Sequence, residues 1–245
     1  MLKLIAMDLD DTIAEIGQPI LPETVECLLQ LQGEGIKLVL MSGKPAPYLS
    51  GLIRQSGLKN IILAGDNGGV IYYNQEFPPY NPMILEMTSL AAEELNKIRK
   101  LMLAEFGERI WIQPNQVSLS VFGRDNNIKK VYEFIDRVFA DERIKHLKNF
   151  KTVGALDILP LNIDKGIALK HIQHELNISM EDTAVIGDGR NDVPMFLQGK
   201  IRITFPKSIE IFHHLGPKII KNITEALQFL LELAHFERTV NLESD

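Results

Sequence analysis

One cysteine, Cys27, stands in a chain of 245 residues. An intrachain disulfide is therefore excluded, and the composition fits a reducing cytoplasm. Cys27 falls inside an apolar helical pattern, which fits a buried structural thiol better than a nucleophile. Clusters of Lys and Arg are also missing, and the formal net charge is −6. Without a basic stripe, nucleic-acid binding is disfavoured, and an anionic substrate would need local positive charge from a metal or a few lysines. There is no basic leader ahead of an apolar core, and no apolar run long enough for a membrane helix. The expected setting is cytoplasmic, away from membranes. Aromatic residues make up only 7%, and the lone Trp111 is expected in a core. What remains is ordinary globular composition, 45% hydrophobic and 24% charged, with room for one large core or two modest ones.

Against that background the N-terminus is distinctive. Leu2 to Met7 is a nearly continuous apolar run, followed at once by Asp8-Leu9-Asp10-Asp11-Thr12. Such a run predicts a strand buried on both faces of a parallel sheet, with the carboxylates at its C-terminal end, where open α/β sheets bind ligands. Carboxylates this close repel one another unless a cation or hydrogen bonds offset the cost. Hard oxygen donors suit Mg²⁺, which usually also meets a substrate phosphate. Because strand residues alternate, Asp8 and Asp10 share a side and Asp11 does not. A calcium loop does not fit, since Ile13 and Pro19 stand where it needs Gly and Glu.

The chain then alternates. A loop or tight hairpin spans 13–22. A helix is expected over Glu23 to Gln32, a strand from Ile36 to Met41 ending in Ser42-Gly43-Lys44, and a helix from Pro45 to Ser56. A third strand, Ile61 to Ala64, runs into Gly65-Asp66-Asn67-Gly68-Gly69. This rhythm predicts a doubly wound parallel α/β sheet. It changes at the proline-rich stretch 74–82, read as a hinge. Residues 76–159 then give helix, strand, strand, helix, strand, strand: helices near 88–106 and 126–140, strands near 110–112, 117–121, 147–153 and 155–159. This is a small α+β unit inserted as a cap domain. The first rhythm returns with a helix from Asp164 and a strand Thr183 to Ile186 that runs into Gly187-Asp188-Gly189-Arg190-Asn191-Asp192. A short helix over 193–197, a strand over 201–205 and the segments to His235 complete the sheet and its cover. The polar tail from Glu237 is expected to fray. The larger domain is thus split, 1–75 and 160–245.

Asp8/Asp10, Ser42 and Asp188/Asp192 follow predicted strands, and Lys165 opens a helix, so a doubly wound sheet would bring all four places to one pocket. Taken singly, Ser42 reads as a helix cap, Lys165 as a solvated residue, Asp188-Gly189 as a turn and Asp192 as a capping acid. Their joint placement argues for a site.

The arrangement resembles the haloacid dehalogenase superfamily of phosphotransferases. Asp8 to Thr12 matches its first motif, Ser42-Gly43-Lys44 its second, Lys165 its third and Gly187 to Asp192 its fourth. Gly65 to Gly69 is similar to a glycine-containing turn of the Cof-like branch, which carries its mobile cap where residues 76–159 fall. The resemblance implies a phosphatase for a small phosphorylated metabolite, of sugar-phosphate or phosphoglycolate type. In it, Asp8 takes the phosphoryl group as an aspartyl phosphate and Asp10 acts as general acid and base. Mg²⁺ is held by Asp8, the Asp10 carbonyl and Asp188, with Asp192 supporting the metal or Lys165. Ser42, Gly43, Lys44, Lys165 and Asn191 bind phosphate or substrate. Asp11 and Thr12 orient the loop, and Asn115, Arg124 and Lys151 are candidate cap contacts. The protein would act as a monomer or homodimer. A phosphomutase with the same aspartate pair is an alternative, as is a non-catalytic metabolite sensor. A receiver-type phosphoacceptor fits poorly, because its acceptor follows the third strand and it has no inserted domain.

Overall fold

A computed structural model of the chain describes residues 1–74, 79, 81–140, 144–152 and 154–242. Its first third contains β1 (Leu4–Asp8), α1 (Pro22–Gly33), β2 (Lys37–Met41), α2 (Ala46–Ser56), β3 (Ile61–Gly65), β4 (Val70–Tyr72) and β5 (Met83–Ile84). The middle contains α3 (Ser89–Phe106), β6 (Ile110–Ile112), β7 (Leu119–Gly123), α4 (Ile128–Phe139), β8 (Leu147–Thr152) and β9 (Ala155–Pro160). The last third contains α5 (Lys165–Leu176), β10 (Thr183–Ile186), α6 (Val193–Phe196), β11 (Ile201–Thr204), α7 (Ile209–Phe212), β12 (Lys218–Ile219) and α8 (Ile223–Leu242).

One eight-stranded sheet runs β12-β11-β10-β1-β2-β3-β4-β5. From β12 to β3 every pairing is parallel, and β4 and β5 add antiparallel to the β3 edge. β1 lies at the centre and every residue of it is buried. Its alternation feeds two cores. Ile5 and Met7 pack with Leu28 and Leu31 of α1, Leu49 and Ile53 of α2, and Leu227 and Leu230 of α8. Leu4 and Ala6 pack with Leu169 and Ile172 of α5, Phe196 of α6 and Phe212 of α7. Helices therefore cover both faces, which is why β1 reads as an unbroken apolar run. Each large side chain buried this way contributes about 1.5–3 kcal/mol.

A separate four-stranded antiparallel sheet, β6-β7-β9-β8, carries α3 and α4 on one face. That face contributes Leu119, Val121, Leu156 and Ile158 to a third core, with Ile98 and Met102 from α3 and Val131 and Ile135 from α4.

Several expectations need correction. The range assigned to the insertion, 76–159, includes Met83–Ile84, which pair with β4 in the main sheet, so the crossing to the small sheet comes after Ile84. β4 and β5 were not anticipated, because two- and three-residue strands leave almost no periodicity. They also give the otherwise parallel sheet an antiparallel edge. The hinge over 74–82 lies partly outside the described residues, as does Val153 of the strand expected near 147–153. α8 continues to Leu242, past the expected fraying point at Glu237. Trp111 is 43% exposed rather than buried, and stacks at a tilt on Phe122 at 5.3 Å.

Two glycines make opposite demands. A Cβ on Gly166, in the first turn of α5, would meet the Pro194 carbonyl oxygen at 2.3 Å and its carbon at 2.6 Å. Backbone cannot yield cheaply, so Gly166→Ala should cost about 1–3 kcal/mol or more, read from the urea unfolding midpoint. Gly51, inside α2, has open space for 4 Å around the position a Cβ would take. Gly51→Ala should therefore raise the same midpoint, by up to about 1 kcal/mol of stability.

Candidate active site

Strand register brings the acidic groups together. Met7 is level with Ile186 of β10 and Asp8 with Met41 of β2. Asp8 therefore lies at its strand end beside Gly187 and Met41, with Asp188 and Ser42 each one residue further along. Carboxylate oxygens of Asp8, Asp188 and Asp192 all fall within 4.8 Å of one another.

Lys165 reaches this cluster from the opposite direction. Asp164 caps α5 by accepting from Ile167 N at 2.8 Å, and so fixes the helix start at Lys165. Close approach elsewhere allows α5 to enter. A Cβ on Gly68, at φ +98°, would lie 2.6 Å from the Ala168 side chain and 2.8 Å from the Asp164 carbonyl. The Lys165 side chain is fully buried; its Nζ donates to Asp8 Oδ1 and, at 2.5 Å, to Asp192 Oδ1. Burial by itself would lower the pKa of this ammonium. The charges of Asp192 and Asp8 outweigh burial and raise it, so the lysine stays protonated. The second oxygen of Asp192 accepts from the backbone N–H groups of Asp188 at 3.0 Å and Gly189 at 2.9 Å. Both Asp192 oxygens are thus engaged, and the residue ties Lys165 to the Asp188 loop.

One buried ammonium faces three carboxylates, so the cluster is short of positive charge. Burial pushes the Asp8 carboxyl well up, with Lys165 opposing and Asp192 and Asp188 adding to the rise. Burial, then the Asp192 charge, raises Asp188 to about 6, against the pull of Lys207, whose Nζ is 4.0 Å away. The donors are all hard oxygens with no thiolate or imidazole in the group, which fits a cation such as Mg²⁺.

The remaining candidates divide. Asp10 forms an ion pair with Lys44, both side chains part-buried, so Lys44 meets the expected acid. Ser42 is buried, and its Oγ accepts from Lys44 N at 3.2 Å, shaping the loop. Thr12 Oγ1 donates to Asp188 Oδ1 at 3.0 Å. Asp11, at φ 57°, accepts from Ile16 N at 3.3 Å and sits 3.6 Å from the Nζ of Lys207, the lysine that also approaches Asp188. Asn191 Nδ2 donates to Asn67 Oδ1 at 3.1 Å, linking the Asp188 loop to the turn after β3. A surface cavity of about 650 Å³ is lined by Asp11, Thr12, Phe205 and Lys207, but Asp8, Asp10 and Lys165 are not part of its wall.

The open face of the small sheet covers this site. Asn115 Nδ2 and Gln113 Nε2 both donate to the Gly43 carbonyl, each at 2.9 Å. Asp66 accepts from the backbone N–H of Gln116 at 2.5 Å and of Val117 at 2.9 Å, and burial raises its pKa to about 6. Lys148 Nζ pairs with Asp164 Oδ2 at 2.6 Å. Of the three expected cap contacts only Asn115 points here. Arg124 is exposed. Lys151 pairs with Asp136 of α4 at 2.5 Å, on the helix side of the sheet. From sequence alone, Gln113, Asp66, Asn67, Ser120 and Asp157 had no assigned role. Asp66-Asn67 carried a usable signal, two polar residues amid glycines directly after a strand, whereas the residues of the small sheet carried none.

The description haloacid dehalogenase-like hydrolase belongs to the family model that matches residues 5–137 and 91–225. A phosphoglycolate phosphatase of Thermoplasma volcanium is 26% identical over 196 residues, covering 80% of this chain and 81% of that protein. Phosphoglycolate phosphatase 1 of Saccharolobus solfataricus is 27% identical over 229 residues, covering 91% and 90%. The crystal structure of a haloacid dehalogenase-like hydrolase from Bacteroides thetaiotaomicron superposes with a TM-score of 0.72 at 19% identity, covering 94% of this chain and all of that one. Among the described residues no helix is long and apolar enough to cross a membrane.

The raised Asp188 pKa sets a pH signature for the metal-free protein. A carboxyl near 6 in the fold and near its ordinary 3.8 when unfolded binds its proton more tightly in the native state between those values. Its charge therefore costs stability above about pH 6, and the cost fades as pH falls toward 4. In chelator, Asp188→Asn should be more stable than the parent at pH 7.5, by on the order of 1–3 kcal/mol. The difference should shrink to about a third at pH 4.5. Urea melts at the two pH values measure it, and a pH-independent difference would contradict the assignment.

Proposed function

The chain belongs to the haloacid dehalogenase-like hydrolases, its similarity to phosphoglycolate phosphatases supports phosphatase activity, and from this premise we propose that it is a Mg²⁺-dependent phosphatase of a small phosphorylated metabolite, working through an aspartyl phosphate on Asp8. The observation that carries this reading is the single point shared by Asp8, Asp188, Asp192 and Lys165.

Asp8 and Asp188 would hold the metal together with the Asp10 carbonyl, while Asp192, engaged on both oxygens, acts through Lys165 and the loop amides. Bound there, Mg²⁺ supplies the positive charge that the cluster lacks and offsets repulsion between carboxylate and phosphate. Lys165 occupies Asp8 Oδ1, which leaves Oδ2 to attack phosphorus. As the Asp8–phosphorus bond forms, the bond from phosphorus to the ester oxygen breaks, and Asp10 delivers a proton to that oxygen. Asp10 then accepts a proton from water as its oxygen attacks phosphorus, releasing phosphate and restoring Asp8. The ammonium of Lys44, ion-paired with Asp10, favours its charged form, so that pair opens and Asp10 takes up a proton before it acts as the acid, which frees Lys44 to face the substrate. Asn115 and Gln113, bonded to Gly43, keep the small sheet over the loop and water out.

Two outcomes test the reading. Asp8→Asn should abolish phosphate release from a panel of phosphate esters, and Asp10→Asn should slow it by about 10²- to 10⁴-fold. Mg²⁺ should raise the thermal midpoint of the parent protein but leave that of Asp188→Asn unchanged. If no ester in the panel releases phosphate with Mg²⁺ present, the reading is wrong; isomerised sugar phosphate without free phosphate would instead mark a mutase.

A further inference from the structure

Asp157 puts a negative charge over a site read as binding phosphate. It lies on β9, level with Ser120 of β7 and Phe150 of β8. It therefore projects from the face of the small sheet that covers the catalytic loops. It is 6% exposed. Ser120 Oγ donates to Oδ1 at 2.5 Å. Its other oxygen lies over the loop after β2: a Cβ placed on Gly43 would be 3.2 Å from Asp157 Oδ2 and 3.1 Å from Asn67 Nδ2. Asn67 Nδ2 is itself buried with no hydrogen-bond partner, although its Oδ1 is held by Asn191. A buried acceptor and a buried donor thus meet above Gly43. Burial raises the Asp157 pKa, and Ser120, Asn67, Lys165 and Lys44 lie near enough to oppose the rise.

We propose that Asp157 determines specificity: Oδ2 accepts a hydrogen bond from a hydroxyl on the substrate's carbon skeleton while Asn67 Nδ2 donates to the same hydroxyl, so the enzyme selects phosphorylated polyols and sugars over phosphorylated carboxylic acids. The inference rests on the phosphatase reading above and names its substrate class. A hydroxyl can donate and accept at once, so it satisfies both groups. A carboxylate can only accept, and it would bring a second negative charge against a desolvated one. The phosphoryl group is excluded from this position for the same reason. It belongs beside Lys165, and the neutral part of the substrate belongs under Asp157.

The test is the ratio of kcat/KM for aldose phosphates, tetrose through hexose, to kcat/KM for 2-phosphoglycolate, measured with Mg²⁺ on the full chain. This ratio does not depend on how much folded enzyme a preparation contains. The parent should favour the best aldose phosphate by at least about 10-fold. Asp157→Asn should narrow the ratio by about 10-fold or more, through a higher KM for the sugar phosphate rather than a lower kcat. Ser120→Ala, which frees Oδ1 without removing the charge, should raise the sugar-phosphate KM several-fold. A parent that prefers phosphoglycolate overturns the inference whatever the variants do. So does an Asp157→Asn ratio equal to that of the parent. Turnover of p-nitrophenyl phosphate separates the two levels. If it is hydrolysed while the ratio fails, only the role of Asp157 falls; if no ester is hydrolysed, the phosphatase reading falls and takes this role with it.

Discussion

A buried lysine holds the arrangement together. Taking an ammonium out of water is costly unless carboxylates meet it at good geometry. Lys165 has two, Asp8 from β1 and Asp192 from the loop after β10. That requirement joins three distant parts of the chain: the first strand, the start of α5 and the 187–192 loop. The close contacts of Gly166 with Pro194, and of Gly68 with Ala168, are what this joint demands of the backbone. The same ammonium cannot neutralise Asp8, Asp192 and Asp188 at once. The shortage of positive charge that weakens the fold at this point is also what the proposed cation would supply.

The small sheet reaches the site through polar groups. Its helix-facing side carries the apolar residues of its own core, and the opposite side presents Gln113, Asn115, Ser120 and Asp157. The hydrogen bonds to the Gly43 carbonyl and to Asp66 cross between the two sheets. Apolar contacts cross as well: Val117 and Leu159 belong to the main core and Phe150 packs against it, so burial and hydrogen bonds together hold the small sheet over the loops.

Much of this was legible in the chain. The unbroken apolar run before Asp8 marked a strand buried on both faces, since only such a strand has no polar side. The placement of Asp8, Lys165, Asp188 and Asp192 at element boundaries pointed to the cluster they form, whereas Ser42 shapes its own loop. Other features were hidden for definite reasons. Val70–Tyr72 and Met83–Ile84 are too short to show a period. Trp111 looked like core because large aromatics usually are, yet it sits on the covering sheet's polar face. Lys151 and Asp157 are both charged residues in predicted strands, and only the register of β8 against β9 sends one to the helix side and the other to the site.

By itself the sequence determined the parallel core and the carboxylates at its strand ends, because these follow from local periodicity and from where carboxylates can be tolerated. Only the tertiary structure decided which partner each charge has: Lys44 with Asp10, Asp192 with Lys165 and the loop amides, Asp157 with Ser120 above Gly43. Pairing across tens of residues depends on how two sheets dock, and docking is set by shape and burial that no local stretch of sequence contains.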